Sequence, residues 1–322
     1  MLLIDSNTTN PYFNIAAEEY LLKNFTDDCF VLYQNEPSII VGKHQNALAE
    51  INYPYTKEKN IPIVRRLSGG GTVYHDLGNL NFAFLKNTEN EKNIVDFKKY
   101  TEPIIKVLNQ LDVNAKFEGH NDIRVNGFKI SGNAEHVFKK RVLHHGTLLF
   151  SSNLEILNEA IKAPVNKFSD KAVKSVRSNV ANITDFLKEE ITMEDFKNSI
   201  FKLIQADFTN VLPYSFSLND KEQIQELVTN KYSTWEWTFG YSPDYQLTNK
   251  IRTKTDSGEV FLQIEKGVIK TISISGIPDA QVVEEFLVGI KHDESNVRKT
   301  LKAWPLAKDK FIDIEDLIKA LF

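Results

Sequence analysis

Apolar and polar positions change period several times along the chain. Between residues 11 and 24, Phe13, Ala17, Tyr20 and Leu21 recur at helical spacing, with Asn10 placed to cap and Pro11 in the first turn, so a helix is predicted there. Short apolar runs follow at 29–34 (CFVLYQ), 38–43 (SIIVGK) and 61–66 (IPIVRR), each the length of a strand. In NLNFAFL, Asn79, Asn81 and Ala83 alternate with Leu80, Phe82 and Phe84, the period of a half-buried strand. Helical spacing returns with Phe97, Tyr100, Ile104, Leu108 and Leu111, where Pro103 limits or kinks the start. Asn126-Gly127 between apolar arms predicts a two-residue hairpin over 123–131, and 142–150 (VLHHGTLLF) reads as a further strand. Helices are expected over 153–162 and from Thr192, with Asp195 in the capping-box position.

The pattern shifts after WEWTFGYSPDY (235–245), a stretch that reads as a packing seam. Beyond it lie a hairpin and two or three short helices, about 75 residues, enough for a small α+β module. Two domains are therefore expected, 1–245 and 246–322. Helices and strands do not alternate regularly, which favours an α+β fold over a doubly wound parallel sheet.

Composition narrows the class. Of 322 residues, 42% are apolar and 25% charged, and the formal net charge is −4, so nothing draws the chain to nucleic acid or to an acidic membrane surface. Cys29 is the single cysteine, which excludes an internal disulfide and fits a reducing compartment. The start MLLIDSNTTNPYF has neither a basic region nor a long apolar stretch, and no run approaches the roughly 18 apolar residues of a membrane span. A soluble cytoplasmic protein is expected.

The chemistry gathers around VRRLSGGGTVYHDLGN. Three glycines, Gly69 to Gly71, follow Arg65 and Arg66 at the end of an apolar run, with His75 and Asp76 just beyond. Backbone N–H groups of such a loop can cradle an anion, and arginine adds forked donors. Neither G-x-x-x-x-G-K-[ST] nor G-x-G-x-x-G is present. Lys129 lies on the returning arm of the 126–127 hairpin, between Phe128 and Ile130 and facing opposite to both, so a strand would aim its ammonium. Asp122 either holds a magnesium ion or caps the hairpin, the cap being the simpler reading. His144 and His145 lack the spacing and the cysteine partners of a zinc site and read as buried, hydrogen-bonded histidines. Asn79 and Asn81 share one face of their strand, where polar groups are costly unless matched.

Taken together, RRLSGGGTVYHDLGNLNFAF, NDIRVNGFKISGNA, HHGTLLFSSNLEIL and SVRSNVANI closely resemble the lipoate–protein ligase A family, as do NPYFNIAAEEYLL, SIIVGKHQNALAEIN and WEWTFGYSPDY. The resemblance spans almost the whole chain in the family's order. It implies a large mixed-sheet catalytic domain, 1–245, of the biotinyl/lipoyl ligase type, with a small α+β accessory domain, 246–322. It also implies an enzyme that converts lipoate and Mg-ATP into lipoyl-AMP and pyrophosphate, with no permanently bound cofactor. The lipoyl group would then pass to a lysine on carrier domains, those of 2-oxoacid dehydrogenase E2 subunits and the glycine-cleavage H protein. By matching position, Arg66, Gly71, Thr72, Val73 and Tyr74 would contact the nucleotide, Ser68, Gly69 and Gly70 would shape the loop, and Lys129 would touch both the lipoate carboxyl and the α-phosphate. Asn79, Asn81 and His145 join Lys129 as lipoate-binding candidates, and metal ligands stay unassigned. An apolar slot for the dithiolane tail is expected from the 30–41 strands with Phe82 and Phe84. Thr72 departs from the alanine common in the family. The competing readings are an acyl transferase on the same fold, which through a thioester would need a cysteine nucleophile, and a non-catalytic nucleotide- or lipoate-binding protein.

Overall fold

The computed structural model describes residues 1–88, 95–162, 164, 167–278, 280–303 and 313–322. They gather into two compact units, each discontinuous in sequence: 1–43 with 62–158 and 175–233, and 44–61 with 159–174 and 234–322. Compaction thus follows different bounds from the functional division expected at residue 245.

In chain order the main elements begin with β1 (Leu2–Asp5), α1 (Pro11–Asn24), β2 (Cys29–Gln34), β3 (Ser38–Val41), α2 (Tyr53–Glu58), β4 (Ile63–Arg65), β5 (Val73–His75) and β6 (Asn79–Asn87). There follow α3 (Phe97–Gln110), β7 (Lys116–Glu118), β8 (Asp122–Val125), β9 (Phe128–Phe138), β10 (Arg141–Leu149), α4 (Leu154–Ala160), β11 (Phe168–Asp170), α5 (Met193–Asp207), β12 (Leu212–Pro213) and α6 (Leu218–Leu227). The chain ends with β13 (Tyr245–Arg252), β14 (Ser257–Glu265), β15 (Val268–Ser275), α7 (Ala280–Leu287), α8 (Glu294–Ala303) and α9 (Ile314–Leu321).

The first unit is built on an eight-stranded mixed sheet, ordered β12-β1-β2-β6-β10-β9-β8-β7. β1 runs parallel to β2 and β12, and the other neighbours are antiparallel. The alternation in β6 does not mark a half-buried strand, because every side chain from Asn79 to Leu85 is buried. β6 lies mid-sheet between β2 and β10 and is covered on both faces. Leu80, Phe82 and Phe84 point into a core with Tyr100 and Ile104 of α3 and Phe196 and Ile200 of α5. The asparagines take the opposite face, the one α1 covers.

Helix α1 begins as expected, the Asn10 carboxamide oxygen accepting the N–H groups of Tyr12 and Phe13 at 2.9 and 3.3 Å. It is not amphipathic, however: all residues from Asn14 to Leu22 are buried, Glu18 and Glu19 among them. α3 passes through Pro103 without ending, capped by Asp96 onto the Lys99 N–H at 3.0 Å. The Thr192–Asp195 capping box forms, the Asp195 N–H reaching the Thr192 hydroxyl at 3.1 Å and the Thr192 N–H the Asp195 carboxylate at 3.0 Å. At the 126–127 turn both residues take positive φ, 50° and 84°, as a two-residue hairpin turn of the I′ kind requires.

A smaller sheet in the same unit, β4-β3-β5, holds the two ends of the glycine loop. The second unit packs the sheet β11-β13-β14-β15 against α7, α8 and α9 through Leu247, Val260, Leu262, Val283, Val297 and Leu317. Within it, Trp235 lies against Gly240 and Gly267, where a Cβ on either glycine would collide with the indole.

Candidate active site

The loop from 66 to 72 leaves β4 and returns to β5, and Arg66 organises it from beneath. Its side chain donates four hydrogen bonds: Nε to the Ser68 hydroxyl at 2.9 Å, Nη1 to the Ile40 carbonyl at 3.1 Å, and Nη2 to the carbonyls of Gly69 and Gly71 at 2.6 and 2.8 Å. The residue is 5% exposed, and desolvation lowers its pKa to about 10. Arg66 therefore spends its fork on the protein rather than on a ligand. The consequence is geometric. A trans peptide sets C=O and the following N–H in opposite directions, so two carbonyls drawn inward turn the N–H groups of Gly70 and Thr72 outward. That is an anion-binding concavity. The Thr72 N–H meets the Ser175 hydroxyl at 2.8 Å, an oxygen standing where an anion's oxygen would. Gly70 has φ +86°, and a Cβ there would come within 3.1 Å of Arg66 Nη2.

Below the loop lies the α1 face of the large sheet. His145, Ala83, Thr147 and Asn81 are cross-strand partners on that face, and Tyr33 pairs with Asn81 from the other side. The Ser68 hydroxyl is 2.6 Å from His145 Nε2, His145 Nδ1 is 2.8 Å from a Glu18 oxygen, and the Tyr33 hydroxyl donates to the other Glu18 oxygen at 2.9 Å. Asn79 donates to Asn81, and Asn81 to the Tyr33 carbonyl. Nearby, His75 Nδ1 accepts from the Asn35 amide at 2.9 Å, and burial pushes its imidazole down to about 3. His75 Nε2 and Asn79 Oδ1 are buried with no hydrogen-bond partner. With Nδ1 accepting, Nε2 of the neutral ring is an unmet donor and Asn79 Oδ1 an unmet acceptor, and such groups are costly unless something enters to satisfy them.

Lys129 reaches the same face. A β-bulge between β8 and β9 leaves Ile130 without an opposite residue, so Phe128 is exposed while Ile130 is buried, contrary to a shared face for the two. The Lys129 side chain folds over Gly132, where a Cβ would sit 2.9 Å from Nζ. The Cβ of Ala134, two residues along, lies 3.9 Å from where a Gly70 Cβ would stand. Residues 132 and 134 point to one face of β9, so the ammonium and the loop share that face. Lys129 Nζ pairs with Asp122 at 2.8 Å, and Arg124 takes the other oxygen of the same carboxylate at 2.7 Å. Asp122 pairs with Gly132 at the open end of the hairpin, so it does not cap the turn.

The structure thus brings Arg66, Ser68, Gly69, Gly70, Gly71, Thr72, Lys129, Asn79, Asn81 and His145 to one side of the sheet. Val73 and Tyr74 form β5 beyond the loop. The slot expected from Phe82 and Phe84 is not there: both rings belong to the core on the opposite face, because even positions of β6 turn toward α3 and α5. Asp76 serves the next turn, accepting from the Gly78 and Asn153 N–H groups at 2.9 and 2.8 Å. His144 points away from His145, to Glu135 at 2.8 Å. Glu18 and Tyr33 escaped the sequence reading. Two adjacent carboxylates inside the apolar run IAAEEYLL were the available signal for Glu18. Among the described residues no cluster of three or more His, Cys, Asp or Glu could hold a metal ion, and no helix is long and apolar enough to cross a membrane. Cys29 is fully buried, and burial pushes its thiol up to about 12, unsuited to a nucleophile.

The first unit is an α+β mixed-sheet domain of the lipoyl-ligase type, with a basic, glycine-lined loop over a buried polar face. Residues 10–205 match the lipoyl protein ligase A/B catalytic domain, and residues 242–321 match the bacterial lipoate protein ligase C-terminus. The chain is 39% identical to the lipoate-protein ligase LplJ of Bacillus subtilis over 98% of its own length and 99% of that protein's. A Thermoplasma acidophilum protein solved with bound lipoic acid is 26% identical, with a TM-score of 0.64 over 74% of this chain and 98% of that one. The same organism's system has been described as a bi-partite lipoate protein ligase and its E2 lipoyl domain, at 26% identity and a TM-score of 0.66 over 74% of this chain and 96% of that one. A lipoate-protein ligase A bound with ATP is 27% identical, also at a TM-score of 0.64, over 74% and 98% of the two chains. The chain belongs to the lipoate–protein ligase family and is an ATP-dependent ligase.

Proposed function

We propose that the Arg66-anchored loop holds the phosphate of ATP and of lipoyl-AMP, and that Lys129 brings the lipoate carboxylate to the α-phosphate. The observation that carries this reading is the pair of carbonyls, of Gly69 and Gly71, that Arg66 draws inward. Two anions must meet in the first step. The lipoate oxygen attacks the α-phosphorus, the bond to the β-phosphate oxygen breaks, and pyrophosphate leaves. Outward N–H groups and an ammonium on the same face offset that repulsion and favour the charge that develops in transfer. Lys129 would exchange Asp122 for the substrate, leaving Asp122 with Arg124. Magnesium fits best as a companion of the nucleotide, held by phosphate oxygens and water. In the second step a lysine amine of a lipoyl carrier domain attacks the acyl carbon of lipoyl-AMP, and AMP leaves. E2 subunits and the glycine-cleavage H protein are the carriers this reading assigns, and the cytosol is its compartment. Residues 1–245 would carry both steps and 246–322 an accessory role.

A transferase working through a thioester is disfavoured by the buried Cys29. Lipoate-dependent ATP–pyrophosphate exchange with no carrier protein present tests the reading. A ligase exchanges label; a carrier-to-carrier transferase leaves ATP unlabelled, and that result would sink the assignment.

A further inference from the structure

We propose that Glu18 is a positioning residue for the nucleotide loop, acting through His145 and Ser68 on Arg66. With one proton on the His145 ring, the direction of every hydrogen bond in this chain follows from its ends. A Glu18 carboxylate accepts only, so His145 Nδ1 carries the hydrogen that meets it at 2.8 Å. Nε2 is then bare and takes the Ser68 hydroxyl hydrogen at 2.6 Å. The Ser68 oxygen, its hydrogen committed, presents a lone pair to Arg66 Nε–H at 2.9 Å. All donors point one way, from guanidinium to carboxylate.

Each link is buried: Glu18 is 3% exposed, Ser68 0%, His145 7% and Arg66 5%. A buried cation and a buried carboxylate are each costly alone, and a polarised chain between them offsets both costs. Tyr33 supplies the second donor to Glu18. Arg66 in turn fixes the carbonyls of Gly69 and Gly71. The shape of the anion concavity is therefore set from α1, a helix that does not touch the loop's outer side in any of these bonds. None of this requires Glu18 to meet a substrate, and the inference rests on the reading of the loop as the nucleotide site.

The test uses the full chain without lipoate. Nitrogen NMR of the imidazoles should find the wild-type His145 proton on Nδ1, with Nε2 bare. In Glu18→Gln the amide presents its own N–H, the proton moves to Nε2, and the calorimetric Kd for ATP should rise about 10- to 100-fold, the scale of a lost hydrogen bond to a charged group. Ser68→Ala breaks the chain lower down. It should weaken ATP by a similar factor while His145 keeps its proton on Nδ1, and it carries the test if Glu18→Gln does not fold. A wild-type His145 protonated on Nε2 would overturn the proposal. So would folded Glu18→Gln, or in its place Ser68→Ala, binding ATP within twofold of wild type. Wild-type protein that binds no ATP would instead defeat the reading of the loop, whatever the state of His145.

Discussion

Lys129 is one-quarter exposed, and its partner Asp122 keeps Arg124 when the lysine is removed. An ion pair of that kind is worth under about 1 kcal/mol, so Lys129→Ala should melt close to wild type. Lipoate-dependent pyrophosphate exchange should fall about 10²–10³-fold, the usual cost of a donor aimed at developing charge. Exchange within a few-fold of wild type would remove the assigned role. Gly70→Val faces two separate penalties, a φ of +86° and a Cβ 3.1 Å from Arg66 Nη2. The strain should cost about 1–2 kcal/mol in a thermal melt, and ATP affinity should drop further than stability does. A folded variant with normal ATP binding would return the loop to a mere turn. In sequence the loop stood out as three glycines after two arginines and Lys129 by its place on a hairpin arm, while the roles assigned to them came from the family resemblance. The inward use of Arg66 was not legible there, since nothing in a one-dimensional pattern says whether a fork meets a ligand or a carbonyl.

The strands show a similar division. Runs such as CFVLYQ and VLHHGTLLF were readable from length alone, whereas β1, β7 and β12, of 4, 3 and 2 residues, are too short to carry a period. β6 read as half-buried because asparagine looks solvent-facing; the sheet instead buries Asn79 and Asn81 in a polar network. The other face of β10 holds His144 against Glu135, among Phe82, Phe97 and Tyr100, and the charge of Asp96 also acts on Glu135. Burial raises the Glu135 carboxyl to about 7 and holds the His144 imidazole down at about 3, from ordinary values of 4.5 and 6.5. The folded pair then keeps one proton across pH 4.5–6.5, and so does the unfolded chain, so the pair adds no slope there. Glu135→Gln leaves only the depressed histidine, whose contribution is full above its unfolded value of 6.5 and is lost as pH falls toward 3. Denaturant titrations should show the variant losing up to about 1.4 kcal/mol per pH unit relative to wild type as pH falls from 6.5 to 4.5. Parallel profiles between pH 6.5 and 4.5 would contradict this.

At the scale of the whole molecule, the change in composition near residue 245 was visible, but the threading of 44–61 and 159–174 into the second unit was not. That threading depends on long-range pairing: β11 on β13, and Tyr53 and Lys57 on Glu294 at the start of α8. A chain ending at residue 245 keeps the threaded segments and removes their partners. Limited proteolysis should cut it first within 44–61 and 159–174, while transfer from preformed lipoyl-AMP persists and the ATP-dependent step weakens. Equal failure with both substrates in a folded truncated chain would place 246–322 in the transfer step itself. The central claim concerns the concavity that Arg66 creates, and backbone amide NMR addresses it most directly. On titration with ATP in the presence of magnesium, the Gly70 and Thr72 amide resonances should show the largest shifts in the first unit, the Thr72 N–H exchanging the Ser175 hydroxyl for a phosphate oxygen. Saturation with ATP that moves other resonances and leaves Gly70 and Thr72 in place would contradict the account.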